Sequence, residues 1–249
     1  MTWLEILMLF LVGVFTGFLN TVAGGGSLLT LPVMIFMGLP GTVANATNRV
    51  AIFISGLVAV KGFQSKGVSV FPYSWWVTVS ACVGAAIGAY FATDIRNELF
   101  NKILAIVMVI VLGTIVFKPK TRLQDSESFT KKKNALSIII FFFLGIYGGF
   151  IQAGIGFLVI ATLTSVHGLN MAKTNFVKVF VISCYTLIAL VVFFIEDKIR
   201  WDYGLTLAAG NSLGSWVASR WSVGKDDKLI RVFLIVSVLA LAVKLWFFG

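Results

Sequence analysis

The stretch GFLNTVAGGGSLLTLPVMIFMGLPGTVANATNR, Gly17 to Arg49, decides how this chain is read. It lies within an apolar sequence, yet it gathers Asn20, Thr21, the consecutive glycines Gly24, Gly25 and Gly26, Ser27, Thr30, Pro32, Asn45, Thr47, Asn48 and Arg49. Polar side chains and irregular backbone are tolerated at membrane depth only where protein buries them or where they line a cavity. The stretch is therefore a candidate binding site.

The membrane setting follows from composition. Hydrophobic residues are 59% of the 249, mean hydropathy is +0.98, and charged residues are 12%, far below the share in soluble domains. The net charge of +10 falls in short segments between apolar runs rather than along one solvated face. It therefore reads as loop basicity that orients helices, and not as a nucleic-acid surface. The amino terminus lacks the positive region of a signal peptide, so the first apolar run reads as a retained span. Cys82 and Cys184 sit in apolar runs without metal-ligand neighbours and read as reduced packing residues. No metal and no cofactor is implied.

Apolar runs occupy 3–23, 26–38, 42–64, 72–93 and 98–117, then, beyond a basic segment, 134–153, 154–167, 170–196, 201–221 and 226–248. Most approach the ~20 residues that a helix needs to cross a bilayer, but 26–38 and 154–167 are too short and read as arms of broken helices or hairpins. The two sets look like copies. Gly17-Phe18-Leu19-Asn20 parallels Gly149-Phe150-Ile151-Gln152, Gly38-Leu39 parallels Gly168-Leu169, Asn45 falls opposite Asn175, and Asn48 opposite Lys178. Gly84 and Gly88 parallel Gly210 and Gly214, with the spacing of helix-packing glycines.

The expected fold is an all-α polytopic membrane protein of two inverted repeats, each with about four long helices and one short arm. The divisions are 1–117, a basic linker 118–133 and 134–249. Loop charge supports inversion. With five passes per half, Lys61, Lys66, Lys118, Lys120, Arg122, Lys131, Lys132, Lys133, Lys173, Arg220, Lys225 and Lys228 share one side, twelve against four (Arg96, Lys102, Lys198, Arg200). Four passes give ten against six. The cytoplasm attracts the excess of Lys and Arg, which places the central loop inside and both termini outside.

The acidic residues all lie at expected helix ends or in loops, whereas Arg49 and Lys178 fall about two turns into the helix that follows each arm. A charge at that depth costs at least ~2.5–3.5 kcal/mol on insertion scales, which an anionic ligand offsets; snorkelling or backbone carbonyls are the plainer alternatives. The glycine turn with Ser27 lets backbone approach a ligand at a helix start, where N–H groups favour anions. Asn45, Thr47, Asn48, Thr174 and Asn175 add neutral donors at the same level, or serve as interhelical glue. His167, the one histidine, closes an arm and reads as a cap or an interfacial group. Trp75, Trp76, Trp201, Trp216, Trp221 and Tyr73 fall toward span ends and read as interfacial anchors.

GFLNTVAGGGSLLTLPVMIFMGLPGTVANATNRVA and GIYGGFIQAGIGFLVIATLTSVHGLNMAKTNFVK resemble the two signature regions of the TauE/SafE family of sulfite and organosulfonate exporters, and KGVSVFPYSW and DKIRWDYG resemble its turns. The resemblance covers nearly the whole chain. It implies a bacterial inner-membrane carrier that moves small sulfur-containing anions such as sulfite or sulfoacetate outward. The motif positions it carries over are Asn20, Gly24, Gly25, Gly26, Asn45 and Thr47, with Gln152, Asn175 and Lys178 in the second copy. The second copy has Gly154-Ile155-Gly156-Phe157 in place of a full glycine run, so its turn is expected to be less open and the first copy to dominate binding. The expected partners are a small anion and the lipid bilayer; a homo-oligomer is left open. An anion channel, a transporter of another organic anion, and an intramembrane hydrolase pairing Ser27 with His167 are the competing readings.

Overall fold

The computed structural model describes residues 1–116 and 128–222. Most of the expected linker and the whole of the expected span 226–248 lie outside the described residues. Nine helices are described: α1 (Trp3–Val22), α2 (Ser27–Phe36), α3 (Gly41–Gln64), α4 (Tyr73–Thr93), α5 (Asn97–Val116), α6 (Lys131–Phe150), α7 (Ile155–His167), α8 (Met171–Ile195) and α9 (Trp201–Trp221). The expected runs and the helices agree to within a few residues. The largest shift is at α6, which starts at Lys131 because Thr130 Oγ1 accepts from the Lys133 amide and caps the helix there.

Five of these helices are long and apolar enough to cross a membrane: α1, α3, α4, α6 and α8. Large apolar side chains such as Leu4, Leu11, Val79, Phe91, Phe143 and Phe194 are exposed on the outer faces, as lipid contact requires. At 1.5 Å per residue the ten-residue α2 and the thirteen-residue α7 reach only part of the way across the ~30 Å hydrocarbon core. Each arm closes on a glycine in the left-handed region, Gly38 at φ +96° and Gly168 at φ +68°. That conformation gives the paired Gly-Leu signals their physical reason.

Glycine pairs let helices approach backbone to backbone. A Cβ at Gly210 would lie 2.2 Å from Phe10 O and one at Gly214 1.9 Å from Val14 O, so α9 seats on α1. The same device recurs between α4 and α6, where a Cβ at Gly84 or Gly88 would lie 2.1 Å from Phe142 O or 2.0 Å from Ile146 O. Gly13 and Gly17 on α1, and Gly145 and Gly149 on α6, complete the two seams.

These contacts also set helix directions. Phe10 to Val14 pairs in rising order with Gly210 to Gly214, and Val50 and then Gly62 pair with Gly204 and then Ser219, so α1, α3 and α9 run parallel. Phe142 to Ile146 pairs in rising order with Gly84 to Gly88. Trp75 meets Phe180 edge to face near one end of α4, and Ala92 clusters with Phe193 near the other, so α4, α6 and α8 run parallel. The two sets oppose each other, because Phe63 at the end of α3 packs with Tyr73 and Val77 at the start of α4. Hence α2 returns the chain between α1 and α3, α7 does so between α6 and α8, and the corresponding helices of the two halves run in opposite directions.

Cys82 and Cys184 are free and half-buried. Trp75, Trp76, Trp201, Trp216 and Trp221 are exposed near helix ends, but Tyr73, expected among the anchors, is buried with its ring against His167. Replacing Gly214 with Val forces a side chain into Val14 O. Thermal or denaturant unfolding in detergent should show a loss of about 1–3 kcal/mol, the usual cost of overpacking; unchanged stability would refute the α1–α9 seam.

Candidate functional site

The site begins with two helices that stop inside the protein. A helix leaves its last four carbonyls without intrahelical donors and carries partial negative charge there. At the end of α6, Tyr147 O accepts from the Ile151 amide, Gly148 O and Gly149 O accept from Arg49 at 3.0 and 2.6 Å, and Phe150 O accepts from Asn45 Nδ2 at 2.8 Å. At the end of α1, Leu19 O accepts from the Ala23 and Gly24 amides, and Thr21 O accepts from Lys178 Nζ at 2.8 Å. Arg49, on α3 of the first half, thus caps α6 of the second; Lys178, on α8 of the second, caps α1 of the first.

Both cations are fully buried. Arg49 also donates to Gln152 Oε1 at 3.3 Å, and its guanidinium lies 4.9 Å from the centre of the Phe193 ring. Lys178 Nζ donates to Asn175 Oδ1 at 2.8 Å. Both cations thus bond backbone carbonyls, one of the alternatives open for them, together with a side-chain amide oxygen.

The two arm turns meet at a point. Gly24 and Gly156 touch so closely that a Cβ on Gly24 would lie 2.4 Å from Gly156 Cα, and one on Gly156 2.2 Å from Gly24 Cα. Beside this contact is a cavity of about 30 Å³, lined by Asn20, Thr21, Gly24, Ser27, Ser55, Gln152, Ser183 and Ser215, with Ile52, Ile155, Val179 and Ile182 as its apolar wall. Asn20 Nδ2 is buried without a hydrogen-bond partner. Gln152 takes the left-handed backbone conformation, φ +59°, uncommon for a residue with a side chain and often found at functional sites.

Of the residues singled out in the sequence, Asn20, Gly24, Ser27 and Gln152 line the cavity. Arg49 and Lys178 stand one residue behind its wall, through Gln152 and Thr21. Asn48 donates to Ser27 Oγ at 3.2 Å and accepts from Thr30 Oγ1, and so orients the cavity serine. Asn45 and Asn175 serve the helix ends through Phe150 O and Lys178. Gly25 O and Gly26 O accept the first amides of α2, and Gly26 leaves room for Thr16 O and the Asn20 amide. Thr47 and Thr174 are engaged elsewhere, Thr47 with the Arg200 amide and Thr174 with Leu169 O.

Sequence reasoning missed Ser55, Ser183 and Ser215, and named Thr21 without assigning it a role. The available signal was a hydroxyl in an apolar run, but Ser183 donates to Val179 O on its own helix, and such back-bonding makes a serine look inert.

The family model described as Sulfite exporter TauE/SafE matches residues 9–245. The chain belongs to that family. A probable membrane transporter protein of Haemophilus influenzae is 26% identical over 96% of this chain and 93% of the relative. The probable membrane transporter protein ORF9 of Sinorhizobium is 25% identical over 95% and 90%, and YfcA of Escherichia coli K12, also named a probable membrane transporter protein, is 25% identical over 96% and 88%. No solved structure matches the chain.

Family and helices together make this TauE/SafE member a multi-pass membrane transporter, and its relatives are named as transporters rather than enzymes. The pairing of Ser27 with His167 does not form. Ser27 Oγ accepts from Asn48, whereas His167 bonds Ser137 Oγ at 2.7 Å and Ser128 O at 2.9 Å, tying the end of α7 to the start of α6. Arg49→Leu leaves Gly148 O and Gly149 O buried without donors, at about 1–3 kcal/mol each. Unfolding followed in detergent should show a loss of that order; a variant as stable as wild type would refute the capping role.

Proposed function

We propose that this transporter exports a small sulfur-containing anion, sulfite or an organosulfonate such as sulfoacetate, by alternating access. The observation that carries the reading is the charge of the interior. Among the described residues no carboxylate is buried, while Arg49 and Lys178 are fully buried within one residue of a cavity walled by amide and hydroxyl groups. An interior of this kind favours anions over cations.

In this reading Asn20 and Ser27 contact the anion, Gln152 lines its site on the side of Arg49, and Thr21, Ser55, Ser183 and Ser215 complete its shell. Gly24, Gly25 and Gly26 let the backbone approach. Asn48 aims Ser27, while Asn45, Thr47, Thr174 and Asn175 hold the surrounding helix ends. In the described state Arg49 and Lys178 supply positive potential from behind the wall. Cavity size supports alternating access. About 30 Å³ suits one or two waters, so a multi-atom anion enters only when the helices part. The opposed directions of α1 and α6, α3 and α8, and α4 and α9 support inverted repeats that rock about the Gly24–Gly156 contact. The loop-charge excess supports an inner-membrane orientation with the central loop cytoplasmic and both termini external.

The test is flux of radiolabelled sulfite and sulfoacetate in proteoliposomes. Saturable flux with counterflow is expected, and Asn20→Leu and Ser27→Val, if they keep the wild-type melting temperature, should reduce it by about tenfold or more. Flux that neither saturates nor shows counterflow would indicate an anion channel, and absence of anion flux would overturn the reading.

A further inference from the structure

Between the cavity and Arg49 stands one side chain. Gln152 lines the cavity, its Oε1 accepts from Arg49 Nη1, and its Nε2 donates to Thr186 Oγ1 at 3.0 Å. Arg49 itself does not line the cavity. Of its three hydrogen bonds, those to Gly148 O and Gly149 O are 3.0 and 2.6 Å, and that to Gln152 is the longest at 3.3 Å. Its Nε is buried without an acceptor. The guanidinium is thus held to the end of α6 by two main-chain bonds, gives its longest bond to Gln152, and keeps one donor unused. The backbone of Gln152 is left-handed, φ +59°, whereas Asn20, its counterpart in the first half, lies within α1.

We propose that Gln152 is a gate on Arg49: its amide oxygen occupies the position that an oxygen of the transported anion takes when the cavity is loaded. The inference rests on the anion reading above. In the described state a neutral oxygen satisfies Arg49 and screens it from the cavity. An anion arriving at Asn20 Nδ2 brings a charged oxygen, a stronger acceptor for a guanidinium than an amide. It displaces the Gln152 side chain, which keeps Thr186 as an alternative partner. Release of the anion lets Gln152 return, so the buried cation is not left unpaired and the anion is not held too tightly to leave. Lys178, by contrast, reaches the cavity wall through a main-chain oxygen, Thr21 O, which no side-chain rotation can withdraw.

The test compares binding of radiolabelled sulfite to the purified full chain with turnover in proteoliposomes. Gln152→Glu tethers a carboxylate to Arg49 in place of the anion; affinity should fall by about tenfold or more while the melting temperature holds or rises. Gln152→Gly suits the left-handed backbone and removes the competitor; the dissociation constant and KM should fall several-fold, with kcat reduced because release is slowed. Gln152→Asn, which tolerates the same backbone but is one methylene short of Arg49, should follow Gln152→Gly and decides the question if the glutamate variant does not fold. Equal binding by wild type and Gln152→Glu would overturn the gate, as would weakened binding in Gln152→Gly or Gln152→Asn. Absence of saturable anion binding by the wild type would overturn the anion reading and this inference with it.

Discussion

A helix that ends inside a membrane protein must find donors for its last carbonyls, and in this chain α1 and α6 end in that way and are capped by buried cations. These ends are buried, and unsatisfied backbone at that depth costs several kcal/mol per group. Arg49 and Asn45 close α6, and Lys178 closes α1. Each donor comes from the opposite half of the chain, so neither half completes its own broken helix. The close seams of α1 with α9 and of α4 with α6 cross between the halves in the same way. The two halves of the chain are therefore joined at these helix ends and not merely apposed.

Capping also shapes what the cavity can hold. Had the helix ends been closed by neutral donors alone, the interior would carry little positive potential. With cations there, each helix end is neutralised and surplus charge remains beside the Gly24–Gly156 contact. In the proposed reading, the surfaces that meet the cavity are neutral amides and hydroxyls, which receive an anion first, and the guanidinium is reached only once Gln152 turns away. A carrier needs that balance, because a site that binds too strongly does not release.

Much of this was legible in the sequence, and the limits follow from which interactions leave a local signature. Helix spans, the short arms and the duplication come from apolar run length and ordered polar residues, which are local properties. The packing role of Gly84, Gly88, Gly210 and Gly214 followed from their spacing. The acceptors for Arg49 were hidden because carbonyls carry no sequence signal, and Gly148 and Gly149 lie 99 and 100 positions away. Gln152 was singled out by its match to Asn20, but its left-handed backbone has no marker in an amide residue. Tyr73 was misread because an aromatic residue at a helix start suits both an interface and a buried contact; its packing against His167 on another helix decided the matter.

The central claim is that an anion sits where the two arm turns meet, under the potential of Arg49 and Lys178. The most direct measurement is an experimental structure of the purified protein with selenite, the heavier analogue of sulfite, located by its anomalous scattering. A peak within hydrogen-bond reach of Asn20 Nδ2 and Ser27 Oγ, with Gln152 turned away from Arg49, is the predicted result. A peak confined to the membrane surface, with Gln152 still bonded to Arg49 and the cavity unchanged, would contradict it.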